Sequence, residues 1–354
     1  MSNTEQTLTI DGKNVSFTPG QTILGVAREN GIDIPTLCYL ERCRPTGSCR
    51  VCLVEVKEAG SLVTACDLPA APGMEVETEN EAVIAARQMV IELMLASGEH
   101  SCVTCEANGD CVLQDLAYRY QVETVRFPRP MEYYPTEANN PLIIRDFSRC
   151  VLCGRCVQAC NEVQVNLVIS FQYEGAKSKI VTKGDVPYEE SNCVFCGECV
   201  KVCPVGALLE KKAHYLSRKW QETEVRTTCT YCGVGCQINL HKKNGKVIRV
   251  TGVDDGLPNL GSLCAKGRFG YEFIHSEDRL TTPLIREGAS FREASWDEAL
   301  DLVAKRFTEI KDEHGPDSLA GLCSARMTNE ENYLMQKLVR AGFGTNNIDH
   351  CARL

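Results

Sequence analysis

An α+β chain of several small domains is what this sequence predicts, on three observations. Twenty-two cysteines fall in short-spaced groups along 354 residues. The first 80 residues alternate apolar and polar positions around tight-turn signals, the period of half-buried strands. From about Asp278 the pattern changes to helix alternating with strand. Hydrophobic content of 44% and charged content of 24% are ordinary for globular domains. A net charge of −9 argues against nucleic acid or an anionic membrane surface as the main partner. No apolar run reaches the length of about 18 residues that a membrane span needs. Met1–Thr7 has neither a charged n-region nor an apolar h-region. A reducing cytoplasm is therefore expected, where grouped cysteines serve as metal ligands rather than disulfides.

Residues 1–80 read as a β-rich domain. Leu8–Ile10 and Val15–Phe17 flank Asp11-Gly12, a hairpin signal. Ile23–Glu29 reads as a short helix stopped by Asn30-Gly31, and Val51–Val56 and Met74–Thr78 as further strands. Hairpin, helix and strands make a β-grasp arrangement. Cys38, Cys49, Cys52 and Cys66 lie in it with spacing C-x10-C-x2-C-x13-C, about the Pro/Gly/Ser-rich loop Arg44–Ser48. Four thiolates in such a fold suit one [2Fe–2S] centre. A zinc loop is the competing reading, but the ten-residue gap is unlike a tight zinc knuckle. Cys43 breaks the spacing and reads as a small packed side chain.

Residues 81–125 read as a second domain. Val83, Ile84, Arg87, Val90, Ile91, Met94 and Leu95 form a helical stripe over 80–98. Cys102, Cys105 and Cys111 then lack a fourth thiol, and His100 is the candidate for the missing ligand of a [4Fe–4S] cluster. A histidine ligand raises a cluster's potential relative to all-thiolate ligation. Residues 112–140 read as a connector stiffened by Pro128, Pro130 and Pro135.

Residues 139–215 hold two matching units, Cys150, Cys153, Cys156, Cys160 and Cys193, Cys196, Cys199, Cys203. Their C-x2-C-x2-C-x3-C spacing is that of the two-cluster bacterial ferredoxins. In that pattern the fourth cysteine crosses over. One [4Fe–4S] cluster would take Cys150, Cys153, Cys156 and Cys203, and the other Cys193, Cys196, Cys199 and Cys160. Lys211–Trp220 reads as a basic exit helix or linker.

Residues 222–278 carry Cys229, Cys232, Cys236 and Cys264, spaced C-x2-C-x3-C-x27-C, a set for a fourth cubane. Gly233 and Gly235 let the loop fold tightly, and Val247–Val250 reads as a strand between the third and fourth ligands. Lys266, two residues after the last ligand, is either a solvated charge or a charge beside the redox path. Residues 279–354 open an α/β domain. Ser295–Glu298 and Thr328–Glu331 are capping boxes, Leu300, Val303, Phe307 and Ile310 share a helix face, and Leu319–Leu322 reads as a strand. These are too few elements to cover a sheet on both faces. Nineteen cysteines and His100 fill five sets, leaving Cys43, Cys351 and Cys323, the last read as buried in a strand. Five sets in one chain mean one-electron transport. No G-x-G-x-x-G, P-loop or H-E-x-x-H occurs in the first 225 residues, so a flavin or dinucleotide must come from a partner.

On the set Cys38, Cys49, Cys52 and Cys66, residues 1–125 resemble the N-terminal part of the large iron–sulfur subunit of complex I, and of iron-only hydrogenases and soluble formate dehydrogenases. That family's next set is usually H-x3-C-x2-C-x5-C; here His100 stands two residues closer. Residues 222–354 resemble the start of a molybdenum or tungsten bis-pterin oxidoreductase, specifically the cytoplasmic formate dehydrogenases. Cys229–Cys236, Cys264-Ala-Lys266-Gly267 and the run Gly344–Leu354 carry the likeness. The resemblance implies a bis-pterin guanine dinucleotide cofactor in the full-length enzyme, formate and carbon dioxide as its substrates, and Lys266 between cluster and pterin. It implies a flavin- and NAD(P)-binding iron–sulfur subunit, or hydrogenase subunits, as partners. In that family the Gly344–Leu354 run leads into a selenocysteine or cysteine metal ligand. The expectation is that the chain stops one residue short of it at a UGA codon read as stop, and that residues 1–354 alone hold clusters without turning over formate. The alternative is a non-catalytic, ferredoxin-like electron-transfer subunit of a complex I- or hydrogenase-type assembly. A hydrogenase is disfavoured because its catalytic cluster motifs are absent after Cys203, and a nitrate reductase by the run Asp349–Leu354.

Overall fold

In a computed structural model of the chain, residues 6–351 are described, and the chain divides into two compact units between Glu222 and Thr223. Ala352, Arg353 and Leu354, the end of the Gly344–Leu354 run, lie outside the described residues.

The first unit opens on a mixed five-stranded sheet. Its order is Lys13–Phe17, Gln6–Ile10, Glu75–Glu77, Leu53–Val56, Ser61–Thr64. Asp11 and Gly12 turn the hairpin with φ of 49° and 76°, the left-handed values a two-residue turn of this twist requires. Gln6–Ile10 pairs parallel to Glu75–Glu77, and the Asp11 carboxylate accepts from the Thr78 amide at 2.7 Å and its hydroxyl at 2.6 Å. Thr22 caps the helix Ile23–Glu29, which buries Ile23, Leu24, Val26 and Ala27 against Ile10, Val54 and Val56. This is the predicted β-grasp.

Asn80 caps the next helix, Glu81–Ala96, by accepting from the Val83 amide at 2.9 Å. Arg87, fully buried, bolts that helix to its neighbours. It donates to the Leu53 carbonyl at 2.7 Å and to the Tyr120 hydroxyl at 2.8 Å, and it pairs with Glu79 at 3.1 Å. The stretch read as a connector from 112 contains a helix, Val112–Arg119, that buries Leu113 and Leu116. Eight residues without a strong cap signal gave the sequence reading little to detect. Past it, Glu92, only 5% exposed, holds the connector by accepting from the Arg126 amide at 2.6 Å and its guanidinium at 2.6–3.0 Å.

Two short helices follow, Arg155–Gln158, which continues as a π turn over Ala159–Val163, and Glu198–Val202. Two antiparallel ribbons frame them: Ile143–Arg145 with Leu208–Glu210, and Ile169–Gln172 with Lys179–Thr182. The helix offered for Lys211–Trp220 does not form; only single 3-10 turns do, at Lys211–Ala213 and Lys219–Gln221. The basic side chains are engaged in pinning carbonyls instead. Lys211 reaches Ala138 at 2.5 Å and Asn140 at 3.1 Å, and Arg218 reaches the carbonyls of Cys105 and Val103. The segment is a strap laid over loop 102–109.

The second unit begins with an antiparallel sheet of Thr223–Thr228, Gln237–Lys243 and Lys246–Gly252, then the short helix Ala265–Phe269. A hairpin (Leu284–Glu287, Ser290–Glu293), the helix Trp296–His314, and a parallel pair (Gly321–Ser324, Ile348–Cys351) complete it with the helix Asn329–Lys337. The predicted strand at 319–322 shifts to 321–324 because Leu319 turns into the small core with Val339 and Phe343. Cys323 is accordingly half-buried rather than buried. The box at Thr328 is complete; at Ser295 only the serine half forms, since Arg292 draws the Glu298 carboxylate away. Phe307 packs edge-on against Phe343 at 5.0 Å and Ile310 joins that core, while Leu300 and Val303 on the same face are exposed.

The Arg126 guanidinium holds the Glu92 carboxyl below its ordinary value of 4.5. The clamp's contribution is thus fully present above about pH 4.5 and lost as pH falls through the lowered value. At pH 7, Glu92→Gln is expected to speed tryptic cleavage after Arg126 several-fold, read by mass spectrometry. Unchanged cleavage would show that this clamp does not order the connector.

Candidate metal centres

The predicted residues lie near one another set by set, although among the described residues no three His, Cys, Asp or Glu side chains stand close enough to hold a single metal ion. Cys38 and Cys49 form one thiol pair, and Cys52 and Cys66 another, both buried in the β-grasp domain. The Cys49 thiol donates to Cys38, holding the Cys38 pKa down to about 5 while the shared proton and burial push Cys49 up. Cys66 stands in the same relation to Cys52, raised where Cys52 is lowered. Two pairs of thiols suit a two-iron centre with two ligands on each iron. The Thr46 hydroxyl donates to Cys38 Sγ at 3.7 Å.

His100, Cys102, Cys105 and Cys111 line one cavity of about 840 Å³, together with Arg149 and Gly206. A side chain at Gly206 would place a Cβ 2.7 Å from Cys105 Sγ, so only glycine keeps that wall clear. Burial pushes the His100 imidazole below its ordinary value, favouring the neutral ring a ligand needs. Its Nε2 lies 3.1 Å from the Met94 carbonyl. Donation there leaves Nδ1 as the nitrogen with a free lone pair, the arrangement that fixes ligating histidines. Burial raises Cys111 to about 11.

In the repeat, the thiols interact across the two units. Cys203 acts on Cys150, Cys153 and Cys156, and Cys160 acts on Cys193 and Cys199. Burial and mutual repulsion push Cys150 up to about 11 and Cys153 to about 12, and Cys156 and Cys199 are raised too. The two loops are built alike, with positive φ at Leu152 and Gly154 and again at Phe195 and Gly197. Tyr188, buried, points its hydroxyl at Cys199 Sγ at 3.9 Å, and the Arg145 guanidinium stacks 4.2 Å above the Tyr188 ring. Asn166 Nδ2 lies 4.0 Å from Cys196 Sγ.

In the second unit, the Cys229 amide donates to the Cys236 carbonyl at 2.8 Å and closes the loop. Cys229 and Cys236 are raised by burial first and then by their neighbours Cys232 and Cys264. A Cβ at Gly267 would lie 3.7 Å from Cys229 Sγ and 3.9 Å from Cys264 Sγ, so the helix backbone lies close to the thiols. Cys264 and Lys266 are both exposed.

The donor chemistry fits iron–sulfur clusters. Thiols this close cannot all ionise against one another unless a cation offsets the charge, and cluster iron does so. Sequence reasoning missed Thr46, Tyr188, Asn166, Gly206 and the Lys211–Trp220 strap. None has a spacing signal; each is defined by what folds against it.

Five family models match in order. A 2Fe-2S iron-sulfur cluster binding domain covers residues 3–81, and the NADH-ubiquinone oxidoreductase-G iron-sulfur binding region covers 87–126. A 4Fe-4S dicluster domain covers 149–207, the molybdopterin oxidoreductase Fe4S4 domain 222–276, and molybdopterin oxidoreductase 279–354. The NADPH-Fe(3+) oxidoreductase subunit alpha of Geobacter sulfurreducens is 40% identical over 98% of this chain and 40% of its own length. The Bacillus subtilis protein named "Putative formate dehydrogenase YrhE" is 34% identical over 97% of this chain and 39% of its own. The chain thus spans about two-fifths of these relatives. A chain from the crystal structure of NAD+-reducing [NiFe]-hydrogenase in the H2-reduced state aligns with a TM-score of 0.52 at 32% identity, over 60% of this chain and 90% of that one.

Cys203→Ala is expected to abolish the cubane of Cys150, Cys153 and Cys156, removing about four iron atoms per chain, and to spare that of Cys193, Cys196 and Cys199. Iron analysis with electron paramagnetic resonance (EPR) decides it; loss of the second signal instead would mean the thiols do not cross. Tyr188→Phe should lower the potential of the second cluster alone, with iron content unchanged.

Proposed function

We propose a role for this chain from the premise that it is the iron–sulfur electron-transfer part of a molybdopterin oxidoreductase-family subunit: it carries electrons between the bis-pterin centre of a formate dehydrogenase or carbon dioxide reductase and a partner subunit. When bound, one [2Fe–2S] and four [4Fe–4S] clusters supply one-electron carriers, and molybdenum or tungsten on a bis-pterin guanine dinucleotide supplies two-electron exchange with formate. The observation that carries this reading is the contiguity of five ligand sets with a molybdopterin-family segment in one chain.

The roles of the chain's own residues follow. Cys38, Cys49, Cys52 and Cys66 hold the two-iron centre, and His100 with Cys102, Cys105 and Cys111 holds the next. The crossed sets of the repeat hold two cubanes, and Cys229, Cys232, Cys236 and Cys264 the last. Glycines clear the walls, and Thr46, Tyr188 and Asn166 donate toward the sulfurs, which stabilises the more negative, reduced state. Lys266, exposed two residues past Cys264, lies on the electron path to the pterin. In the whole protein the Gly344–Leu354 run leads into the selenocysteine or cysteine that ligates the metal. The partner is a flavin- and NAD(P)-binding subunit or a hydrogenase, in the cytoplasm.

A second reading has one specific support. Identity is higher to the NADPH-Fe(3+) oxidoreductase subunit, 40%, than to the protein named as a formate dehydrogenase, 34%. On that reading the same wire serves an NADPH-linked complex without formate chemistry.

Anaerobic whole protein, purified with its partners, is expected to show cluster reduction by formate in optical and EPR spectra. Residues 1–354 alone should bind iron yet reduce no viologen dye with formate. Reduction by NADPH but not by formate would favour the second reading, and dye reduction by residues 1–354 alone would refute the assignment of the catalyst to the remainder of the protein.

A further inference from the structure

Arg155 stands between the second and third cysteines of the repeat's first loop, at the start of the helix Arg155–Gln158. Its guanidinium turns inward. One terminal nitrogen reaches the carbonyl of fully buried Leu37 at 3.5 Å, a long contact beside Cys38. Its Nε is buried with no hydrogen-bond partner, and among the described residues no carboxylate pairs with it. Partial burial works against its charge and lowers its pKa, and four thiols oppose that effect, Cys153 and Cys203 from one ligand set and Cys38 and Cys49 from another. The same apolar core packs all four, with Leu37, Val51 and Val205 among its members.

Arg155 is half-buried as a residue, with its Nε withdrawn from solvent, and a cation so placed is costly without an anion. Here the anions are the two ligand sets themselves. We propose that Arg155 is a shared counter-cation for two centres, that of Cys38, Cys49, Cys52 and Cys66 and that of Cys150, Cys153, Cys156 and Cys203, and that it raises the reduction potential of both. Each centre gains one negative charge when it takes one electron, with no bond made and no proton moved. A fixed positive charge beside both stabilises both reduced forms, and its partial withdrawal from solvent weakens the screening of that attraction. Arg155 is a positioning residue for charge, and its role rests on the ligand sets assigned under the proposed function.

The test is redox titration of the whole protein with dithionite, following both EPR signals, for Arg155→Gln and Arg155→Lys. In R155Q the reduced-to-oxidised ratio at a fixed potential is expected to fall about tenfold at both centres, about 59 mV for a one-electron couple. R155K keeps the charge and should keep both potentials near those of the unsubstituted protein. Iron content and the signals of the other centres report folding, and potentials are read on the loaded fraction if R155Q loads less iron. An unmoved potential at either centre in R155Q, or an R155K as far displaced as R155Q, overturns the shared role. Absence of either signal from the unsubstituted protein would instead overturn the ligand assignment beneath it.

Discussion

Thiols held side by side in a protein interior repel one another as soon as they ionise, and the structure is built around that conflict. Burial disfavours each thiolate, and each neighbour's charge disfavours it further. The result is visible wherever thiols converge. In the β-grasp pairs one partner is held down only because the other keeps the proton. In the repeat, where no thiol takes that part, Cys150, Cys153 and Cys156 are all driven up. Binding iron resolves the conflict and so becomes coupled to folding. The proposed crossing of Cys160 and Cys203 would extend the coupling, because neither centre would close until both halves of the repeat had met.

The same conflict explains what surrounds the thiols. Each loop has to present sulfur inward without presenting anything else. Left-handed backbone at Gly154 and Gly197, bare walls at Gly206 and Gly267, and the loop-closing bond from Cys229 to Cys236 achieve this by removing bulk. Positive charge and hydroxyl or amide donors then supply what the sulfurs lack. Thr46, Tyr188 and Asn166 each approach one sulfur, and Arg155 reaches the Leu37 carbonyl beside Cys38. On the proposed ligand assignment, residues that are not ligands would set how readily an electron is held.

The ligand sets were legible because cluster geometry imposes short, repeated spacing on the sequence itself. The β-grasp domain was legible for a related reason: Asp11-Gly12 and the alternation around it specify a hairpin locally. Structure set by contacts distant in sequence was not. Val112–Arg119 is a helix because Leu113 and Leu116 meet a core supplied by other segments. Lys211–Trp220 reads from composition as a basic helix or linker, because composition does not reveal that Arg218 meets carbonyls more than a hundred positions earlier. Arg155 was invisible for the same reason, since its significance lies in Leu37 and Cys38.

His100 shows how local spacing and tertiary geometry combine. Its place two residues nearer Cys102 than the resembled family's spacing changes the reach its ring needs. The fold answers by putting Nε2 on the Met94 carbonyl, the last turn of the helix Glu81–Ala96. A ring held at one nitrogen by a backbone acceptor has its other nitrogen, its tautomer and its orientation set together. The helix end therefore constrains the ring of the proposed ligand, as fixed spacing constrains the cysteines. The proposed His100 ligation is compatible with the shortened motif because the helix end supplies a constraint on the ring.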